Sequence, residues 1–228
     1  MTTGNRALEV ATDEGPTVTL VAFDFDGTLS DDEMIVLLGE RAGAAGEIAD
    51  VTERAMAGEL SYAESLRERA ALLEGVTEAE AADAYDGVGL REGAADLIGA
   101  LCDAGAGTAI LTGGFEAGVE RALRRHDAAV DHVVANRLPV VDGALTGGVE
   151  GPLIEGTKDD ALADLADERG VPMAETIAVG DGANDVPMLE VAGVAVGFCP
   201  KPGVADHCDT VVETMAALED VLREHGVP

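Results

Sequence analysis

Short apolar runs alternate along this chain with longer stretches whose apolar residues recur every three or four positions. That interleaving predicts strands followed by helices. The run from Val18 to Phe23 reads as a buried strand, which Asp24, Asp26 and Gly27 bring to an end. After Leu29 the period is helical for about 60 residues. Met34, Ile35, Leu37 and Leu38 open it, and Ile48, Val51, Ala55 and Met56 continue it. Ser61 with Glu64, and Thr77 with Glu80, have the spacing of capping boxes. No strand pattern interrupts this stretch, so it reads as a helical insertion lying as a lid over the carboxyl end of the first strand.

Alternation then resumes. Gly93 to Cys102 predicts a helix, and Thr108 to Leu111 a second buried strand ending in Thr112-Gly113-Gly114. Phe115, Val119, Ala122 and Leu123 mark an amphipathic helix. His132 to Ala135 reads as a third strand, and Val140 to Leu145 as a hairpin turning at Asp142-Gly143. Thr157 to Glu168 predicts a helix, and Thr176 to Val179 a strand ending in Gly180-Asp181-Gly182-Ala183-Asn184-Asp185. Val194 to Val196 and Thr210 to Val212 read as edge or late strands. The order predicts an α/β fold with a doubly wound, mostly parallel, Rossmann-like core and an α-helical cap inserted after the first strand. The core is expected at 17–30 and 88–228 and the cap at 31–87, after a polar, disordered lead-in at 1–16.

Charge narrows the partners. The 228 residues carry a formal net charge of −31, and only two of the fourteen basic residues are lysines, Lys158 and Lys201. Nucleic acid and anionic membrane are therefore not expected as partners, since both require clustered Lys and Arg. The acids are spread along the whole chain, so it repels itself at low salt. Near 1 M salt the Debye length is only about 3 Å and that repulsion largely vanishes. This balance leads to the expectation of a halophile's cytosol. Cys102, Cys199 and Cys208 form no C-x-x-C, which suits a reducing, cytoplasmic setting without disulfides or zinc. The four histidines are scattered, no run is long and apolar enough to cross a membrane, and the N-terminus carries no apolar signal core.

In open α/β sheets, ligands bind beyond the carboxyl ends of strands. Asp24 and Asp26, at i and i+2, point to one side of an extended chain. They can hold a hard cation such as Mg²⁺, or serve as nucleophile and acid/base. A calcium loop is excluded, because Leu29 and Ile35 stand where that loop needs Gly and Glu. Thr112-Gly113-Gly114 is either an anion site at a strand–helix junction or a plain tight turn. Thr157 and Asp160 look like a capping pair, which puts Lys158 at the first helical position, against the helix dipole. In a chain that almost excludes lysine, Lys158 reads as the answer to a nearby negative charge. Asp181 and Asp185 flank another strand-end turn and suit a Mg²⁺ shell, with Val186 again excluding a calcium loop. Tyr62, Leu66, Arg69 and Leu73 share one helical face. There Arg69 either lays its stem over the core or grips a substrate carboxylate, whereas Arg67 points elsewhere.

Taken in order, Asp24-Phe25-Asp26-Gly27-Thr28, Thr112-Gly113-Gly114, Lys158 and Gly180-Asp181-Gly182-Ala183-Asn184-Asp185 resemble the four motifs of the haloacid-dehalogenase superfamily. Val51 to Leu60 and Ser65 to Arg69 resemble the cap of phosphoserine phosphatases, as do Thr112 to Phe115 and Ala135 to Leu138. The resemblance implies Mg²⁺-dependent hydrolysis of O-phospho-L-serine, a step of serine synthesis, through an aspartyl phosphate. It implies Asp24 as nucleophile, Asp26 as general acid/base, and Lys158 as the group that neutralises charge on both nucleophile and phosphoryl group. Thr112, Gly113 and Asn184 would hold phosphate. Mg²⁺ would be bound by Asp24, the Asp26 carbonyl and Asp181, with Asp185 supporting from behind. Glu33 would meet the serine ammonium and Arg69 its carboxylate, with Tyr62 packed over the substrate. The chain departs from the family at Gly27, where Ser is frequent, at Thr112 for Ser, and at Tyr62 for an aromatic that is often Phe. Another small phosphomonoester, phosphoryl transfer to a second alcohol, or a phosphoamino-acid-binding regulatory module are the alternatives. The implied partner is a small-molecule substrate, with the oligomeric state left open.

Overall fold

The computed structural model describes residues 20–227. The expected lead-in at 1–16 and the first residues of the predicted strand, Val18 and Thr19, lie outside the described residues. β1 (Leu20–Phe23) is buried throughout. Its alternation sends Val21 and Phe23 into one core cluster and Leu20 and Ala22 into another. The chain then leaves the sheet for α1 (Met34–Ala42), α2 (Ala45–Met56), α3 (Tyr62–Ala71) and α4 (Glu78–Tyr85). Both predicted capping boxes close. The Glu64 N–H donates to Ser61 Oγ at 3.2 Å and the Ser61 N–H to the Glu64 carboxylate at 2.8 Å; Thr77 and Glu80 pair the same way. The chain returns through α5 (Ala94–Asp103), β2 (Gly107–Phe115), α6 (Glu116–Arg125) and β3 (His132–Asn136). A small hairpin follows, β4 (Val140–Val141) and β5 (Ala144–Leu145), with Asp142 and Gly143 both at positive φ, as a two-residue turn of this hand requires. α7 (Lys158–Arg169), β6 (Thr176–Gly180), α8 (Val186–Val191), β7 (Val194–Phe198), β8 (Thr210–Val212) and α9 (Met215–Glu224) complete the described chain.

The six-stranded sheet has the order β3-β2-β1-β6-β7-β8, with every pairing parallel. β7 lies inside the sheet and β8 at its edge, so of the two late strands Thr210–Val212 alone is an edge. Chain order reverses between β1 and β6, and the crevice beyond their carboxyl ends is where such sheets bind ligands. α5, α6 and α9 cover one face through Leu97, Ile98, Val119, Leu123, Leu218 and Leu222. α7 and α8 cover the other through Leu162, Leu165, Met188 and Leu189. The inserted helices do not form a core of their own. Met34, Leu38, Ile48, Leu66 and Tyr85 belong to the same apolar cluster as Val21, Phe23 and Ile110 of the sheet. The insertion is thereby packed onto the sheet face that it overhangs.

Candidate active site

β1 delivers Asp24 to the crevice. The Asp24 N–H donates to the Val179 carbonyl at 2.8 Å, carrying the β1–β6 ladder one residue past the strand. The chain then turns instead of continuing extended, with the Ser30 N–H bonded to the Phe25 carbonyl and the Gly27 N–H to the Ser30 carbonyl, both at 2.9 Å. Asp24 and Asp26 therefore meet through a turn and not, as the i, i+2 spacing suggested, on one side of a strand. Asp26 Oδ1 is buried and has no hydrogen-bond partner. Burial, followed by the charges of Asp24 and Glu33, raises the Asp26 pKa well above the usual carboxylate range, so it can carry a proton to donate. Gly27 sits at φ +88°, and a Cβ there would fall 2.3 Å from Asp181 Oδ2. The glycine lets this turn lie directly against the second carboxylate-bearing loop.

Lys158 is the first residue of α7, as predicted, but Thr157 does not cap that helix with its side chain. Its Oγ1 donates instead to the Pro152 carbonyl at 2.9 Å, so the expected pairing with Asp160 gives way to a partner in the preceding loop. Lys158 is only 1% exposed. Its Nζ lies 2.7 Å from Asp24 Oδ1 and 2.5 Å from Asp185 Oδ1. Burial works against the ammonium, but Asp185 and Asp24 outweigh it and hold Lys158 charged, above its ordinary range. Asp24 is pushed up to about 7 by burial and then by Asp185, against the pull of Lys158. Burial also raises Asp181, while Lys201 opposes the shift.

Oxygens of Asp24, Asp181 and Asp185 lie within 4.8 Å of one another. Asp185 is anchored behind the loop, its Oδ2 accepting from the Asp181 N–H at 2.9 Å and the Gly182 N–H at 2.8 Å. Three buried carboxylates face one buried ammonium, Lys158, and one half-exposed one, Lys201, and uncompensated buried charge is costly. A hard cation with oxygen ligands fits that deficit, so the residues present suit a metal ion.

β2 does not end before Thr112-Gly113-Gly114, as the sequence suggested, but runs through it to Phe115. Its register against β3 shifts between Thr112 and Phe115. Phe115, expected on the helix, precedes it as the N-cap of α6. Thr112 is buried, its Oγ1 accepting from the Gly114 N–H at 3.0 Å. Gly114 adjoins Asp26, whose Oδ2 would sit 2.8 Å from a Cβ there. Asn136 fixes this segment from β3, its Nδ2 donating to the Gly113 carbonyl at 3.1 Å and its Oδ1 accepting from the Leu153 N–H. A Cβ on Gly113 would meet Tyr62 Oη at 1.7 Å, so the tyrosine of α3 touches this turn only because the residue is glycine. Asn184 Nδ2 is 3.4 Å from Asp185 Oδ1, at the rim of the same cluster.

From above the crevice, α3 presents Tyr62, Leu66 and Arg69; Leu73 lies past the end of that helix yet is fully buried. Burial raises the Tyr62 phenol to about 12. The Arg69 Nε–H donates to the Ser65 carbonyl at 3.3 Å. Burial lowers its pKa, against the opposing charges of Tyr62, Glu33 and Asp26. Glu33 is the N-cap of α1 but makes no side-chain cap bond. The structure thus brings Asp24, Lys158, Asp181 and Asp185 into one buried cluster, with Asp26 against Gly114 and Tyr62 against Gly113.

Two residues went unread. Arg91 uses its whole fork on the turn after Asp26: Nε–H to the Thr28 carbonyl and Nη2–H to the Gly27 carbonyl, both at 2.9 Å, with an ion pair to Asp31 and Phe198 beneath. Nothing local to Leu90-Arg91-Glu92-Gly93 marks it. Lys201 did carry a signal. The argument from lysine scarcity that singled out Lys158 applies to it equally.

A doubly wound sheet with paired carboxylates and a buried lysine at its switch point, covered by inserted helices, defines a class. Residues 21–190 match the model of haloacid dehalogenase-like hydrolases, and the chain belongs to that family. Its relatives are more particular. It is 58% identical to the phosphoserine phosphatase of Halobacterium salinarum over 92% of this chain and 100% of that one. It is 42% identical to that of Streptococcus thermophilus over 80% and 85%. A solved phospho-aspartyl intermediate analogue of phosphoserine phosphatase superposes with TM-score 0.83 at 35% identity, covering 91% of this chain and 99% of that one. A substrate-bound phosphoserine phosphatase complex gives the same TM-score and identity.

Proposed function

We propose that this chain is a phosphoserine phosphatase that hydrolyses O-phospho-L-serine to L-serine and phosphate through an aspartyl phosphate on Asp24. The observation that carries the reading is the buried Asp24–Lys158–Asp185 constellation at the carboxyl end of β1. Lys158 fixes Asp24 Oδ1 and leaves Oδ2 to attack phosphorus in line. As the ester bond breaks, the seryl oxygen takes the proton from Asp26. Asp26 then removes a proton from water as that water attacks the aspartyl phosphate, which releases phosphate and restores Asp24. Thr112, the Gly113 N–H, Asn184 and Lys158 hold the phosphoryl oxygens. Phosphoryl transfer needs in-line placement and charge neutralisation above all. Mg²⁺, bound through Asp24, the Asp26 carbonyl and Asp181 with Asp185 behind, would supply Lewis-acid neutralisation of the phosphoryl charge. In the cap we assign the substrate ammonium to Glu33, its carboxylate to Arg69 and its packing to Tyr62, with residues 31–87 as cap and 17–30 and 88–228 as core. The thiols and the charge balance support a reducing, salt-rich cytoplasm as the setting.

Phosphate release across a panel of phosphomonoesters, with and without Mg²⁺, tests the reading. Phosphoserine is expected to have the highest kcat/KM, and Asp24→Asn to abolish turnover while leaving the fold intact. Turnover by Asp24→Asn near the parent rate would rule out the covalent route, and a better substrate lacking the amino-acid moiety would rule out the assignment.

A further inference from the structure

The chain has two lysines and twelve arginines. Both lysines stand at this site, and each bridges two carboxylates. Lys158 joins Asp24 to Asp185. Lys201 joins Asp181 Oδ2, at 3.1 Å, to Glu33 Oε1, at 3.3 Å. The first pair lies wholly within the sheet's crevice. The second reaches from the loop after β6 to the entry of the inserted helices. The backbone holds Lys201 firmly for this task. It stands between Pro200 and Pro202, its N–H donates to the Asp181 carbonyl at 2.8 Å, and its carbonyl accepts from the Val204 N–H at 3.1 Å. Proline on both sides narrows the backbone freedom of that segment.

Glu33 needs such a hold. It occupies the N-cap of α1, yet its side chain makes no capping bond, and Lys201 is its only ion-pair partner among the described residues. A glutamate carboxylate on three rotatable bonds, about half-exposed, otherwise samples many orientations. An ammonium suits the join better than a guanidinium, since it is a compact charge with three donors that can face two carboxylates at different angles.

We propose that Lys201 is a specificity-determining positioning residue. It holds the Glu33 carboxylate by Oε1, aimed over the crevice, and so leaves Oε2 for the amino group of the substrate. The idea rests on the phosphoserine reading above. Lys201 touches no reacting atom and acts through Glu33, with Asp181 as the fixed point on the core.

Three variants test it: Lys201→Met, Lys201→Arg and Glu33→Gln, with the double variant Lys201→Met/Glu33→Gln. Each is assayed on phosphoserine and on an aryl phosphate, with Mg²⁺ binding followed separately by the shift in thermal midpoint. In Lys201→Met, KM for phosphoserine is expected to rise relative to that for the aryl phosphate by roughly five- to tenfold, the scale of a part-buried charge-assisted contact. Lys201→Arg is expected to recover part of that preference. In the Glu33→Gln background, Lys201→Met is expected to add nothing to the phosphoserine-specific loss, because the two residues then act as one unit. Equal losses on both substrates, accompanied by weakened Mg²⁺ binding, would mean that Lys201 serves Asp181 alone and would overturn the proposal. Additive losses in the double variant would overturn it too. A parent enzyme active on the aryl phosphate but not on phosphoserine would instead overturn the substrate reading, and this proposal with it.

Discussion

At the scale of single residues, the site is a contest between burial and charge. Asp24 is held near 7 by burial and Asp185, although Lys158 pulls the other way. The sign of the consequence follows from linkage. Between the ordinary carboxylate range and about 7, the folded protein binds a proton at Asp24 that the unfolded chain does not. In the absence of a divalent cation, this group's contribution to stability therefore falls as pH rises through that window. A cation that ligates Asp24 must displace the proton, so it binds better above 7 than below. The gain in thermal midpoint on adding Mg²⁺ is expected to be larger at pH 8 than at pH 5.5, and equal gains would remove Asp24 from the ligand set. Arg69 is the second test at this scale. If its contact with the substrate carboxylate is worth roughly 1.5–3 kcal/mol, as charge-assisted bonds are, Arg69→Ala raises KM for phosphoserine by about 10- to 100-fold. No comparable rise is expected for an aryl phosphate. Arg67→Ala is the reference, since its ion pair with Glu155 is exposed on both sides and such pairs contribute little. A KM that rises alike on both substrates would make Arg69 a packing residue.

At the scale of elements, α3 matters most, because it sets Tyr62 against Gly113 and carries Arg69, the proposed partner of the substrate carboxylate. Its start is fixed by the Ser61–Glu64 box, and hydrogen bonds from the Ser61 hydroxyl and N–H hold Glu64 below its ordinary pKa. Tyr62 is the first residue after that cap, so loosening the cap loosens its contact with the Gly113 turn. Ser61→Ala is expected to cost about 1 kcal/mol, which lowers the thermal midpoint by roughly 2–4 °C in a protein of this size. It should raise KM for phosphoserine more than for the aryl phosphate. A stability loss with unaltered substrate preference would show that α3 is positioned by the packing of Leu66 and Leu73 into the core and not by its cap.

At the scale of the whole molecule, charge dominates. Forty-five acidic residues stand against fourteen basic ones, and both lysines are committed to the site. Repulsion among exposed carboxylates therefore has no reserve of surface lysine to offset it. Screening shortens from about 10 Å at 0.1 M to about 3 Å at 1 M salt, and the thermal midpoint is expected to rise steeply over that range in KCl. The buried Lys158 pairs are shielded from bulk ions, so kcat should follow the folded fraction and show no salt optimum of its own. A midpoint flat across the range would contradict a protein adapted to high salt.

What the sequence determined was local. The period of apolar positions placed the helices and strands. Ser61-x-x-Glu64 and Thr77-x-x-Glu80 announced two helix starts, and Asp142-Gly143 announced a hairpin. Each depends on atoms a few residues apart, and backbone geometry alone relates them. Strand-end position likewise marked Asp24 and Asp181 as facing one crevice. The local rules failed where a distant partner outbid a near one. Thr157 preferred the Pro152 carbonyl to its own helix, and β2 kept Thr112-Gly113-Gly114 because β3 lies alongside to pair with it. Only the folded chain decided which charges meet. Lys158 reaches Asp24 across 134 positions, and Lys201 reaches Glu33 across 168. No periodicity connects residues so far apart. They meet because a parallel sheet brings the carboxyl ends of β1, β6 and β7 to one edge, and burial there makes each of those charges depend on the others.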